Sequence, residues 1–251
     1  MSTNLKENNN FYLKNNTFKD LGYELSKDSL IMGFGCGNGE NVQLFRESGF
    51  KTFGCDINFN DSDSKTTRAL IDNSIIKLIN TENYTLPFKD NTFDYIFSNM
   101  VFEHVQDYTS AISELSRVLK PSGFCMHVFA SRYTPIEQHV KVPLATIIRN
   151  YYWLYFWATI GIRNIFQNGL TADETAKHNL NYLNSKTKYY SEKIIIKHFK
   201  ASFENVSFIE DVLMKYSNRK YLPVLAKIFP FLPLLFRTFV SRIVFTSLPK
   251  K

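Results

Sequence analysis

The sequence predicts an α/β protein, a doubly wound and mostly parallel sheet with helices on both faces. Two observations carry this. Short apolar runs bounded by polar or glycine-rich turns alternate with helical patterns over about 100 residues, the signature of repeated strand–helix units. The chain has 251 residues, 44% of them hydrophobic and 21% charged, which excludes a wholly disordered polymer and suffices for a core.

The elements follow in order. Residues 1–27 form a polar, Asn-rich leader, with apolar positions at Phe11, Leu13, Phe18, Leu21 and Leu25 that allow one short helix. LIMGFGCGNG is a strand running into a glycine-rich turn, and ENVQLFRESG is a helix stopped by Gly49. KTFGCDI is the second strand. A helical stretch near 62–72 precedes the third, SIIKLIN, and TFDYIFSNM is the fourth. SAISELSRVLK is a helix whose end is expected at Pro121 and Gly123, before the fifth strand, GFCMHVFA. Residues 28–131 are thus one unit.

From Arg132 the texture changes. Residues 142–162 hold one charge, Arg149, in 21 residues, long enough on paper to cross a bilayer. A buried helical cap or an interfacial helix competes with that reading, and the aromatic run Tyr151 to Trp157 suits either. YSEKIIIKHFK and ENVSFIE return to a helix–strand pattern. Residues 221–240 are apolar but interrupted by Pro223, Pro230 and Pro233, which favours short helices over a span. RIVFTSLPK is the last strand. The expected organisation is therefore a leader (1–27), a core (28–131), an apolar helical insertion (132–189) and the end of the sheet (190–251), which carries a second apolar insertion at 211–240.

Charge is uneven. Residues 1–131 carry 12 basic and 16 acidic side chains, and residues 132–251 carry 18 and 7. Beyond Asp211 eight Lys or Arg occur and no acid. Such a split points to an anionic partner, and an Asn- and Lys-rich codon bias competes with that reading. Three scattered cysteines, Cys36, Cys55 and Cys125, with no CxxC pair, exclude a disulfide framework and disfavour a zinc site, so no metal is expected. The amino terminus lacks the apolar core of a signal peptide, and a cytoplasmic location is expected.

The chemistry is read from the turn Gly35-Cys36-Gly37-Asn38-Gly39. Its spacing is GxGxG, which fits neither the GxGxxG dinucleotide fingerprint nor a P-loop. Glycines between a strand and a helix let the backbone approach a ligand, and the helix start offers free N–H groups. Asp56 lies 17 residues past Gly39 at the end of the second strand, where an acid can accept two ribose hydroxyls. Glu82-Asn83 is expected at the end of the third strand, where a carboxylate could take an adenine amino group.

At these residues the sequence resembles the class I S-adenosylmethionine-dependent methyltransferases, specifically the type 11 methyltransferase domain. The resemblance rests on Gly35 to Gly39, Gly54-Cys55-Asp56, Leu86-Pro87-Phe88, Phe93-Asp94, Glu103-His104-Val105 and Arg117-Val118-Leu119-Lys120-Pro121-Ser122-Gly123. It covers residues 28–131. It implies a Rossmann-like sheet of seven strands with an antiparallel last strand, apolar helical insertions after strands five and six, and S-adenosylmethionine as cofactor. Gly35, Cys36, Gly37, Gly39, Asp56, Glu82, Asn83, Ser98 and Asn99 are the implied cofactor residues. One departure stands out: the family's acid two residues before the first glycine is Gly33 here. Both insertions should leave the carboxyl ends of strands and flank the mouth of the site.

His139, just beyond strand five, and His104 are the candidate catalytic residues, with His139 the better placed for a general base. An ordinary surface role competes for His139, and a structural one for His104. His127, mid-strand, reads as a core histidine. The expected activity is methyl transfer to a small-molecule or lipid-linked acceptor, a sugar among the candidates, by O-methylation. An anionic membrane surface is an expected partner, with the protein peripheral on its inner face. Nucleic acid is disfavoured. The alternatives are an RNA methyltransferase and a non-catalytic, membrane-associated protein that binds the same cofactor.

Overall fold

A computed structural model describes residues 15–59, 64–217 and 221–250. Phe11 and Leu13 of the leader lie outside them. The chain forms α1 (Asn15–Asp20), β1 (Leu30–Phe34), α2 (Glu40–Glu47), β2 (Lys51–Asp56), α3 (Lys65–Asp72), β3 (Ile76–Leu78) and β4 (Phe93–Asn99). It continues through α4 (Tyr108–Val118), β5 (Leu119–Ala130), α5 (Tyr151–Thr159), α6 (Ala172–Lys186), α7 (Glu192–Ser202) and β6 (Phe203–Phe208). It ends with α8 (Glu210–Lys215), α9 (Leu222–Ile228), α10 (Leu232–Phe239) and β7 (Ser241–Pro249).

The seven strands form one sheet in the order β3-β2-β1-β4-β5-β7-β6. β1 to β5 pair in parallel, and β7 runs antiparallel to both β5 and β6. The strand order reverses between β1 and β4, the switch point where a crevice opens outside the carboxyl ends of the strands. The two faces of the sheet bury separate cores. Phe34, Phe102, Ile112, Leu115 and Phe199 pack on one, and Phe18, Phe45, Tyr95, Phe97, Phe124 and Phe245 on the other. Phe18 of α1 is fully buried, so the leader helix is part of the second core.

Two sequence motifs brace the scaffold. Arg117 donates to Glu114 and Asp90 and to the carbonyls of Leu86 and Phe88. Asp94 accepts from Lys120 Nζ at 2.8 Å and from the Leu30 N–H at 2.8 Å, tying β1 to β4 and β5. α4 ends at Val118, earlier than expected, and Pro121 and Gly123 lie inside β5, which starts at Leu119. The residue before a proline is driven to extended backbone, so this stretch feeds a strand with an irregular register opposite Phe93–Tyr95.

The stretch 142–162 contains one nine-residue helix, α5, and among the described residues no single helix is long and apolar enough to cross a membrane. Pro223 and Pro233 fall in the first turns of α9 and α10, where the missing N–H costs nothing. Those two helices are bent by 114° to each other.

Candidate functional site

The glycine turn leaves β1 at the switch point. Gly35, Gly37 and Gly39 all have positive φ, at 65°, 53° and 86°. A side chain on Gly35 would run into Val101 at 2.5 Å, so that glycine is needed for packing beneath the turn. At Gly37 nothing lies within 4 Å of where a Cβ would stand, so the turn opens there onto a space with bare backbone. Cys36 N–H donates to the Cys55 carbonyl at 3.0 Å, and burial pushes the Cys36 thiol far above its ordinary pKa, so it stays neutral.

Asp56 ends β2 beside this turn. Its carboxylate accepts from the N–H groups of Gly37 and Ile57, each at 2.7 Å. A carboxylate has about four acceptor positions, so sites remain for a vicinal diol. The bare backbone at Gly37 next to an oriented, half-buried carboxylate fits the glycine-turn and ribose ends of the expected cofactor. The amino end differs. A Cβ on Gly33 would stand 3.0 Å from the Phe97 ring and 3.3 Å from Val42, so packed apolar side chains occupy the direction the family's acid would take.

The other expected cofactor positions divide. Asn99 is exposed at the end of β4, on the same edge. Glu82 and Asn83 do not end β3, which stops at Leu78. They sit exposed in a turn closed by the Asn80–Thr85 bridge, where Thr85 donates to the Asn83 side chain. Ser98 requires correction. Its side chain is buried and its hydroxyl lies 2.8 Å from His127 Nδ1, in the core and away from the edge. β4 is a central strand buried on both faces, so its sequence shows no alternation to separate Ser98 from Asn99. His127 has a pKa lowered by burial to about 3, so it is neutral.

The insertion brings the two candidate histidines together. The His104 and His139 rings lie 4.8 Å apart, edge to face. His104 Nδ1 lies 2.9 Å from the Lys186 carbonyl, which can only accept, so Nδ1 carries the proton and Nε2 presents a lone pair. Burial lowers the His104 pKa. His139 Nδ1 lies 2.7 Å from Glu137 Oε1, and that bond raises the His139 pKa. Glu137 is fully buried. Burial opposes its ionisation, but bonds from His139, the Tyr189 hydroxyl at 2.6 Å and the Val140 N–H outweigh this, and its pKa is lowered. Arg149 donates to the carbonyls of Leu183 and Thr187 and stacks on Tyr189, holding the end of α6 in place.

Glu103, Glu137 and Tyr189 were not among the expected site residues. Glu103 is 1% exposed, and neither carboxyl oxygen has a hydrogen-bond partner. Its place in the Glu103-His104-Val105 motif is the sequence signal that points to it.

Comparison with known proteins agrees with this architecture. The family described as a methyltransferase domain matches residues 32–127. The chain is 30% identical over 142 residues to the demethylmenaquinone methyltransferase of Staphylococcus aureus (strain JH9), a match covering 55% of this chain and 53% of that protein. It therefore spans about half the length of the curated relatives it matches. Among solved structures, Haemonchus contortus phosphoethanolamine N-methyltransferase 2 in complex with S-adenosyl-L-methionine superposes with a TM-score of 0.50 at 12% identity, over 94% of this chain and 52% of that chain. A Pyrococcus horikoshii OT3 protein does so with a TM-score of 0.50 at 19% identity, over 93% and 88%. At such identities these structures share the fold. Residues 32–127 of this chain form a methyltransferase domain of the class I S-adenosylmethionine-dependent type.

Proposed function

We propose that the protein binds S-adenosylmethionine at the Gly35–Gly39 turn and Asp56 and methylates a hydroxyl of a small-molecule or lipid-linked acceptor. The observation that carries this reading is one sheet edge holding both a bare glycine turn beside an oriented carboxylate and a pair of apposed histidines. Asp56 would take the ribose hydroxyls, and the turn would pack against the methionine moiety, with Asn99 nearby. When bound, the cofactor would supply a sulfonium methyl to the acceptor oxygen, with sulfur as the leaving group that keeps the bonding electron pair. His139 is the proposed base. Glu137 fixes its Nδ1 proton, leaving Nε2 to accept the hydroxyl proton, and the raised pKa makes it the stronger base of the pair. His104 Nε2 would orient the same hydroxyl. Residues 132–189 would form the acceptor side and exclude water.

Calorimetric titration tests the cofactor site. Asp56→Ala should remove a charge-assisted contact of about 1.5–3 kcal/mol and weaken S-adenosylmethionine binding at least roughly tenfold. Unchanged binding overturns the assignment. His139→Gln should lower turnover by about 10²–10⁴-fold without weakening cofactor binding.

A membrane-facing acceptor is favoured by one further observation. No residue of α9 or α10 is buried, and Leu225, Phe229, Phe231, Leu234 and Leu235 are all exposed. Arg242 is buried and Lys215 and Arg237 are paired with Asp20 and Glu210, so Lys227 and its exposed apolar neighbours are what suit the interface of an anionic bilayer, a basic residue at such a surface adding about 1 kcal/mol. Co-sedimentation with anionic vesicles is expected, and its loss in Phe231→Glu. A protein that stays in the supernatant at low salt removes the membrane from the reading.

A further inference from the structure

Glu103 is the least explained group in the molecule. It lies in the loop after β4, and its backbone carbonyl accepts from the Lys188 N–H at 2.7 Å, which pins the loop to the end of the insertion. Both side-chain oxygens are buried and unpartnered. A buried polar group without a partner is costly and is rarely kept unless something outside the chain satisfies it. The Glu103 carboxyl and His139, whose ring touches His104, lie close enough to shift each other's protonation, so the orphan carboxyl borders the histidine pair.

We infer that Glu103 anchors the acceptor through a hydrogen-bond donor, a hydroxyl or an ammonium group, and thereby selects against acceptors that present an anion there. The inference rests on the proposed acceptor side of the methyltransferase site. Its physical basis is satisfiability. The carboxyl offers acceptor positions and nothing in the described chain fills them, whereas Glu137 nearby has its oxygens taken by His139, Tyr189 and two backbone N–H groups. The titratable groups that face Glu103 are His139 and Glu137 from the start of the insertion, Tyr182 and Tyr189 from its end, and Tyr108 from α4. Of these only His139 can carry a positive charge; its Nδ1 bonds Glu137, and its Nε2 makes no hydrogen bond to Glu103. Burial raises the Glu103 pKa to about 7, against the opposing pull of its own backbone N–H and of His139.

The test compares wild type with Glu103→Met, close in volume and apolar, with S-adenosylhomocysteine bound to both. At about pH 8, where the carboxyl is ionised, the variant is expected to unfold a few degrees higher than wild type, because it removes an orphan charge. Butylamine and 1-butanol, each at roughly tens of millimolar, should raise the wild-type Tm and leave the variant's unchanged, and butyrate should raise neither. The amine and alcohol arms separate an ammonium-bearing acceptor from a hydroxyl-bearing one. A variant less stable than wild type makes Glu103 a satisfied structural group and overturns the inference, as does an equal response of both proteins to the probes. If S-adenosylhomocysteine fails to bind wild type, the methyltransferase reading itself falls. If it binds both proteins to within about threefold, a negative probe result counts against Glu103 alone.

Discussion

The two apolar stretches, 142–162 and 221–240, look alike in composition and behave differently in the fold. The first buries Leu154 of α5, with Val142 and Ala145, against Ala176 and Leu183 of α6, forming a core of its own beside the sheet. The second makes α9 and α10, neither of which buries a residue. The difference is the partner. α6 is a 15-residue helix secured by a capping box of Thr171 and Glu174, and it offers α5 a long apolar flank. α9 and α10 are seven and eight residues long and break at Pro230; one side rests on α8 and β7, where Phe236 packs partly buried on the second core, and Leu225, Phe229, Phe231 and Leu234 stay exposed. Hydrophobicity sets how much a segment gains by burial, and the presence of a facing surface sets whether it is buried.

Leu154→Ala should break this contrast most severely. The residue is fully buried, and truncation should cost about 2–5 kcal/mol by urea unfolding. A loss under about 1 kcal/mol would mean that the insertion contributes no cooperative core. Tyr189→Phe comes next. It removes a 2.6 Å donor to the buried Glu137 carboxylate and should cost about 1.5–3 kcal/mol.

A pH series sharpens the comparison with a smaller effect. The raised His139 pKa gives stability that is complete below the ordinary value of 6.5 and is lost as pH rises through the folded value. The raised Glu103 carboxyl adds a penalty that is absent below 4.5 and complete above about 7. Glu137, with a lowered pKa, works in reverse and loses its contribution as pH falls through a value under 4.5. His104 and His127, whose pKa values burial lowers, make stability fall as pH drops below 6.5, so the optimum lies near 6.5 and Tm should fall by a few degrees as pH rises past it. His139→Gln should flatten that fall, and an unchanged slope would remove the Glu137–His139 pair as its cause. The smallest effect is expected at the other stretch. Leu234→Ala, at a residue 53% exposed, should change stability by no more than about 0.5 kcal/mol.

How much of the site the sequence revealed follows from how local each feature is. The glycine turn and Asp56 were legible because a turn between strand and helix is built from adjacent residues. Gly33 was legible as a departure, but its consequence was not. Only packing shows the Phe97 ring standing where an acid would point. Glu103 is visible in the Glu103-His104-Val105 motif, but its unpaired carboxyl is not, and Glu137 and Tyr189 escape because their relations are long-range. Glu137 and Tyr189 are 52 residues apart, and His104 and Lys186 are 82 apart. Ser98 was misread because a strand buried on both faces carries no alternation.

The sequence by itself determined the order of strands and helices, the glycine turn with Asp56 at the switch point, and the class of domain. These depend on periodicity and on backbone conformations that only certain residues adopt, which are properties of neighbours along the chain. The tertiary structure decided that His104 and His139 meet, that Glu137 is satisfied while Glu103 is not, and that one apolar stretch fully buries side chains in a core of its own while the helices of the other bury none completely. Each of these depends on which distant surface arrives opposite a side chain. A buried polar or apolar group acquires its energy only from that surface.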